Sequence, residues 1–280
     1  MKVIINADDL GLSIEVNEAI ENAIIKKRIS SCTTLANGAA FEDAVRISKL
    51  YSDISFGVHL NITEFCPLTN HVVFKKYNFI DDTGNFIEGA AFATKNYTAE
   101  LKNSIFEEWL AQINKIRNAG INISHLDSHQ HAHGIYDLED VLEKVIRVSG
   151  IAKIRRKAHT SMLSMILNRN NKYKSILDKS CAVKLPKQKF IIRRLIQLQN
   201  SVRHHFWIKK FRKSTIMTQG FMAYGSYIFL LSKYYKWCHF DTIELMCHPG
   251  HKGYANETKI VMAEELRNLM QYQLISYNDL

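Results

Sequence analysis

Residues 2–27 read KVIINADDLGLSIEVNEAIENAIIKK, and this stretch sets the fold class. Lys2–Ala7 is an apolar run of strand length, and Ser13 stands where a helix N-cap is expected. Beyond it Ile14, Val16, Ile20, Ala23 and Ile24 fall near helical spacing, which predicts a helix over Ile14–Lys27. The alternation continues along the chain. Cys32–Ala36 and Ile54–Leu60 read as strands, with a helix at Phe41–Tyr51 between them. Ala99–Ala119 predicts a helix stopped by Gly120, Ile121–Ser128 a strand, and Leu138–Val148 a helix stopped by Gly150. Ile151–Arg155, Thr242–Cys247 and Gln273–Tyr277 are later strands, the last two flanking a helix around Glu257–Gln271. Thr63–Tyr97 has turn residues and no long period, so it reads as an extended loop. Repeated βα units imply a parallel sheet. The expectation is an α/β protein built as a single TIM-like (β/α) barrel over residues 1–280, with room for fewer than eight regular repeats.

Composition narrows the class. The 280 residues are 46% hydrophobic, enough for a large core, and 12 Gly with 3 Pro exclude collagen-like or low-complexity chains. No apolar run approaches the roughly 18 residues of a membrane span. Five Cys without a CxxC pair suggest free thiols in a reducing compartment. Asp8 and Asp9 fall where a signal peptide would need apolar residues, so a cytoplasmic protein is expected. The net charge of +10 is a local feature. Lys179–Phe240 holds 13 Lys and Arg and no Asp or Glu, leaving 24 basic against 27 acidic residues elsewhere, a net −3. A basic helical insertion around 160–240 is therefore expected, with Phe190, Ile191, Leu195, Leu198 and Val202 as its apolar stripe and Arg193, Arg194, Lys209 and Lys210 around it. No nucleic-acid-binding signature accompanies the charge, so no nucleic-acid partner is expected.

Four polar clusters fall at the C-terminal ends of predicted strands: Asn6-Ala7-Asp8-Asp9, His59 with Asn61, His125-Leu126-Asp127-Ser128-His129-Gln130-His131-Ala132-His133, and His248-Pro249-Gly250. In parallel α/β barrels the loops at that end converge on one mouth. On a strand, His125, Asp127 and His129 would share a face, with His129 nearest the mouth. Histidines beside a carboxylate suit Zn²⁺, Mn²⁺ or Fe²⁺, whereas a Mg²⁺ site would be unusually nitrogen-rich, and Asp127 is placed to accept a ring N–H and fix a tautomer. Asp8-Asp9 offers one carboxylate for a metal and one for a base, although acidic residues also favour a helix N-terminus. Alternation puts Asp8 on the face of Asn6 and Asp9 on the other, which selects Asp8 as the inward ligand. A bend beginning at Asp9, ahead of Gly11, would bring both carboxylates in. Asn61, His125, Asp127, His131 and Arg155 complete the candidates, as groups that contact substrate or orient ligands.

Asn6-Ala7-Asp8-Asp9-Leu10-Gly11, Gly57-Val58-His59-Leu60-Asn61, His125-Leu126-Asp127-Ser128-His129, His248-Pro249-Gly250 and Leu274-Ile275-Ser276-Tyr277, in this order, resemble the YdjC-like carbohydrate deacetylases. Cys32–Val45 resembles the family too, whereas Leu10 stands where its pattern has Phe and Lys179–Phe240 matches poorly. The resemblance implies a barrel enzyme that uses a divalent metal to remove acetyl groups from N-acetylated sugars, and one ion, Mg²⁺ or Zn²⁺, is the expected cofactor. It further implies Asp9, His59 and His129 as metal ligands, Asp8 as base and His248 as acid. The poorly matched basic stretch raises the expectation that Lys184–Lys213 receives an anionic or lipid-linked sugar, and a homodimer is left open. Two rival readings are a different barrel metallohydrolase of the amidohydrolase type and a non-catalytic protein binding anionic ligands. The first typically carries its HxH on the first strand, which here ends in two Asp. The second gives no reason for four convergent clusters.

Overall fold

Every pairing between strands of the sheet, among the described residues, is parallel. The computed structural model describes residues 1–69, 71–157, 190–228, 240–263 and 272–280. Strands β1 (Lys2–Leu10), β2 (Ser31–Thr34), β3 (Ser55–Leu60), β4 (Ile123–Ser128), β5 (Gly220–Ala223) and β6 (Thr242–Cys247) lie in the order β4-β3-β2-β1-β6-β5, and β7 (Gln273–Leu274) pairs with the start of β1. Past β4, single bridges join Leu126 to Ile154 and Lys153 to Ile216. Ile216 lies only four residues ahead of Gly220, so the sheet curls back toward its opposite edge. Ile151–Arg155 thus contributes bridges rather than the full strand its sequence suggests. A regular eight-strand barrel is not formed by the described residues; the architecture is an α/β fold on a curled parallel sheet.

Helices cover the outside: α1 (Ile14–Ile25), α2 (Phe41–Leu50), α3 (His71–Lys76), α4 (Ala90–Ala93), α5 (Ala99–Asn118), α6 (Glu139–Ser149), α7 (Phe190–Phe211) and α8 (Ala255–Met262). The Ser13 hydroxyl accepts from Val16 N at 3.3 Å, capping α1 as its sequence predicts. Ile14 points to solvent, however, and the packed face is Val16, Asn17, Ile20, Ala23 and Ile24. Helix α5 buries Leu101, Ile105, Trp109, Ile113 and Ile116, each contributing roughly 1.5–3 kcal/mol by leaving water. Its buried Gln112 and Glu108 are tied to the loop after β3: Asn61 N donates to Gln112 Oε1 at 2.8 Å, and Thr69 N to Glu108 Oε2 at 2.9 Å.

Thr63–Tyr97 is not an extended loop. It contains α3, α4 and an Ile80–Phe86 bridge around buried Phe74, Phe79, Phe86 and Tyr97. Aromatic contacts, such as the edge-on Phe74 and Phe86 rings 5.1 Å apart, order a segment that has no period to detect. In the basic stretch, α7 is helical as expected, but it packs through His204, Trp207, Ile208 and Phe211 while Val202 is exposed. Lys210 pairs with Glu143 of α6 at 3.1 Å. Residues 158–189 and 229–239, the side chains of 190–198, and residues 264–271 of the expected last helix lie outside the described residues. No described helix is long and apolar enough to cross a membrane.

Candidate active site

The two carboxylates of β1 reach the same interior by a local irregularity. Ala7 pairs with Cys32 and Leu10 with Thr34, so three steps on β1 face two on β2. The extra residue is a bulge, and Asp9 adopts a left-handed φ of +69°. Simple alternation, which would send Asp9 outward, fails for this reason. Both carboxylates are almost wholly buried.

Asp9 is the meeting point of two imidazoles. Its Oδ1 lies 3.2 Å from His59 Nε2 and 2.8 Å from His129 Nδ1. His59 comes from β3, and its other nitrogen, Nδ1, lies 2.6 Å from Asp127 Oδ1 on the adjacent β4. Thr33 of β2 donates to Asp127 Oδ2 at 3.0 Å. Asp127 thus lies within hydrogen-bond distance of the nitrogen of His59 that faces away from Asp9, where a carboxylate can fix a tautomer. His129 lies beyond the end of β4, in a 3₁₀ turn over His129–Gly134. Its Nε2 is 3.0 Å from Glu64 Oε2, a contact absent from the sequence reading. Burial alone would discharge both rings. The Asp127 and Asp9 carboxylates prevail for His59 and raise its pKa to about 10; Asp9 and Glu64 raise His129 to about 9. The one-oxygen, two-nitrogen donor set of Asp9, His59 and His129 fits a divalent ion, which would have to displace the ring protons that these carboxylates favour. Asp8, His59 and Asp127 also lie close together. That second set is already neutralised, because Arg155 Nη1 contacts Asp127 Oδ2 at 2.8 Å and Asp8 Oδ2 at 2.7 Å.

Arg155 organises the adjacent half of the site. Fully buried, it forks onto both oxygens of Asp8 at 2.7 Å and donates through Nε to Glu244 Oε1 at 2.7 Å. Burial would raise the Asp8 pKa, but the guanidinium outweighs it and holds this carboxyl well below the usual range. Glu244 is pushed up to about 7 by burial, against the pull of Arg155. Its second oxygen accepts the Tyr277 hydroxyl, and the Tyr277 ring stacks on His125 with centroids 3.6 Å apart. His125 is therefore packed under the tail of the chain, not at the mouth where the expected row of 125, 127 and 129 would place it. Gly57 of β3 permits this layer, since a Cβ there would lie 2.5 Å from His125 Cε1.

His248 follows β6. Its Nε2 lies 3.9 Å from Asp8 Oδ2, and its Nδ1 lies 3.0 Å from Glu257 Oε2 of α8. Burial would lower its pKa, yet the hydrogen bond to Glu257 and the charges of Asp9 and Asp8 raise it. His131, also left-handed at φ +60°, sits edge-on to Phe221 at 5.6 Å, and Phe221 lies against the Arg155 guanidinium at 5.0 Å. Burial and Arg155 lower the His131 pKa to about 3, so the ring is neutral. Asn61 does not face the cluster; it holds the turn that carries Glu64. The structure thus gathers Asp8, Asp9, His59, Asp127, His129, Arg155 and His248 and sets Asn61 and His125 behind them. Glu64, Glu244, Glu257 and Tyr277 are the residues the sequence reading gave no role. Glu244 had a visible signal, a lone carboxylate inside the apolar strand TIELMC.

Fold and site together describe an α/β protein with a buried Asp/His cluster at the C-terminal ends of parallel strands. The chain belongs to the YdjC-like protein family, whose pattern matches residues 2–276. It is 34% identical over 148 residues to a carbohydrate deacetylase of Vibrio cholerae, covering 52% of this chain and 56% of that protein. It is 36% identical over 170 residues to a carbohydrate deacetylase of Listeria welshimeri, covering 58% and 63%. The matches thus span little more than half the length of these curated relatives. A crystal structure of an Enterococcus faecalis protein, provisionally described as cleaving cellobiose phosphate, superimposes with a TM-score of 0.71 over 99% of this chain and 98% of that one. At 19% identity that likeness concerns the fold alone.

Proposed function

We propose that this protein is a metal-dependent hydrolase that removes the acetyl group from an N-acetylated sugar. The observation that carries the reading is the convergence of His59 Nε2 and His129 Nδ1 on Asp9 Oδ1, with Asp8 and His248 beside it. The named activity of the relatives supports the substrate class. In this reading Asp9, His59 and His129 hold one divalent ion, Mg²⁺ or Zn²⁺. Asp8 takes the proton of the attacking water as its oxygen bonds to the acetyl carbon. The Arg155 fork keeps Asp8 ionised and aimed but makes it a weak base, so the water must be more acidic than bulk water. A divalent ion would supply that acidity and polarise the acetyl carbonyl. His248, kept protonated by Glu257, donates to the amine nitrogen as the C–N bond breaks, leaving acetate and the amino sugar. Glu257 also accepts from His248 N at 2.9 Å, fixing the backbone that aims the ring.

The same proposal includes a cytoplasmic enzyme formed as one domain around the curled sheet. It also includes an anionic or lipid-linked sugar recognised through residues 184–213. Of those, Lys210 is engaged with Glu139 and Glu143. The deciding experiment measures acetate release from a panel of N-acetylated sugars with defined divalent ions, for the wild type and for Asp8→Asn. Release that needs an ion and collapses in Asp8→Asn is expected. No release from any sugar with any ion refutes the reading.

A further inference from the structure

The turn after β3 is constructed around one exposed carboxylate. Asn61 Oδ1 accepts from Thr63 N at 2.9 Å and from Glu64 N at 3.2 Å, while its Nδ2 donates to Glu64 O at 2.7 Å. Asn61 is itself held on both sides of its backbone by the buried Gln112 side chain, at 2.8 and 2.7 Å. Asn37 Nδ2 adds donors to Glu64 O and Cys66 O. On the far side, Phe65 takes a left-handed φ of +60°, a conformation costing a non-glycine residue about 1–3 kcal/mol, and its carbonyl is pinned by Phe86 N at 2.8 Å. Strain and buried hydrogen bonds together fix the backbone of a residue whose side chain is 46% exposed. That side chain reaches inward to one atom, the Nε2 of buried His129.

We propose that Glu64 is a positioning residue for His129, accepting its Nε2–H so that Nδ1 is presented beside Asp9 for a divalent ion. This rests on the metal-site reading above. An imidazole ligand gives one nitrogen to the ion and keeps a proton on the other, and the partner of that proton decides which nitrogen is which. His59 has its own such partner in Asp127, at 2.6 Å. Without Glu64, the ring of His129 would have no carboxylate opposing Asp9, and Nδ1 could carry the proton toward Asp9 instead. The two imidazoles are thus held by one interior carboxylate and one at the rim. A solvent-facing ion pair of ordinary kind would contribute almost nothing.

The test is isothermal titration of chelator-stripped full-length chain with Zn²⁺ near neutral pH, for wild type, Glu64→Gln, Glu64→Ala and His129→Ala. Nitrogen-15 imidazole spectra of the zinc-loaded forms report the tautomer. Glu64→Ala should raise the zinc Kd about 10–100-fold and mix the His129 tautomers. Glu64→Gln, whose amide oxygen can still accept the N–H, should recover part of the loss. Circular dichroism confirms folding of each variant. A Kd within twofold of wild type in Glu64→Ala, with binding abolished in His129→Ala, overturns the role of Glu64 and leaves the metal site standing. Unchanged binding in His129→Ala overturns the metal-site reading itself. Complete loss in Glu64→Ala would make Glu64 a ligand, and an unchanged Kd with a raised sugar KM would make it a substrate contact; either result also overturns the proposal.

Discussion

Arg155→Met should destabilise the fold by about 3–5 kcal/mol, the range for removing one partner from a buried charge cluster. Arg155 is fully buried and sits 2.7–2.8 Å from three carboxylates, Asp8, Asp127 and Glu244. Methionine replaces much of its stem and none of its charge. Unfolding entropy of about 2.1 cal/mol/K per residue gives about 0.6 kcal/mol/K for a chain of this length, so the melting temperature should fall by roughly 5–9 °C. The loss should also depend on pH. In the wild type, Arg155 overcomes burial and depresses the Asp8 pKa, so the stability from Asp8 is present above its unfolded value and is lost only as pH falls through the lower folded value. Without the guanidinium, burial is opposed only by the charges of His59 and His248 and should raise the folded pKa of Asp8. Its carboxyl then binds a proton that the unfolded chain releases, and the stability of the variant declines as pH rises. Calorimetric melts from about pH 5 to about pH 8 should therefore show a widening gap between the two proteins. A drop below about 1 °C, or a gap that does not grow with pH, would refute the reasoning.

Four further outcomes are expected. His129→Ala should reduce bound divalent metal from about one ion per chain to near none, read by elemental analysis; full occupancy in a folded variant would take His129 out of the site. Asp8→Asn should keep the metal while kcat falls about 10²–10⁴-fold, the usual contribution of a general base, and the reverse pattern for Asp8→Asn and Asp9→Asn would exchange their roles. Because the Glu257 hydrogen bond and nearby carboxylates raise the His248 pKa, activity should persist above pH 6.5 and fade as the ring loses its proton; Glu257→Gln should move that alkaline limb to lower pH, and an unmoved limb would remove His248 as the acid. Gly57→Ala puts a Cβ against a His125 ring that cannot retreat from Tyr277, and overpacking of this kind costs about 1–3 kcal/mol, so an unchanged melting temperature would show the layer to be loose.

What the sequence made legible was whatever repeats or clusters locally. The βα alternation, the Ser13 cap, the Gly120 stop and the polar residues at the strand ends are signals read within a dozen neighbours. The turn at Gly11 allows a bend beginning at Asp9, yet simple alternation points the other way, and the bulge that decides it depends on the register against β2. Thr63–Tyr97 was misread because its order comes from aromatic contacts at irregular spacing. β5 escaped notice because four residues, GFMA, give no period. Glu64 and Tyr277 acquire meaning only from partners far away in sequence: Glu64 meets His129, and Tyr277 meets Glu244 and His125. Arg155 closes the strand read at Ile151–Arg155, but the three carboxylates that define it come from β1, β4 and β6.

The position of β1 in the sheet sets a timetable for biosynthesis. It leaves the ribosome long before β6 and β7, yet Lys2–Ala7 lies against Thr242–Cys247 on one side, and Lys2 and Val3 lie against Gln273 and Leu274 on the other. At about 5–20 residues per second, an apolar strand with an open hydrogen-bonding edge waits roughly 15–50 s for these neighbours. Arg155 likewise emerges well before Glu244 and Tyr277 complete its surroundings. Nascent chains stalled after about residue 200 should therefore remain protease-sensitive and be held by chaperones, while release of the last strands should convert them together. Pairings this distant in sequence slow folding, so closure of β1 against β6 and β7 is expected to be the late step.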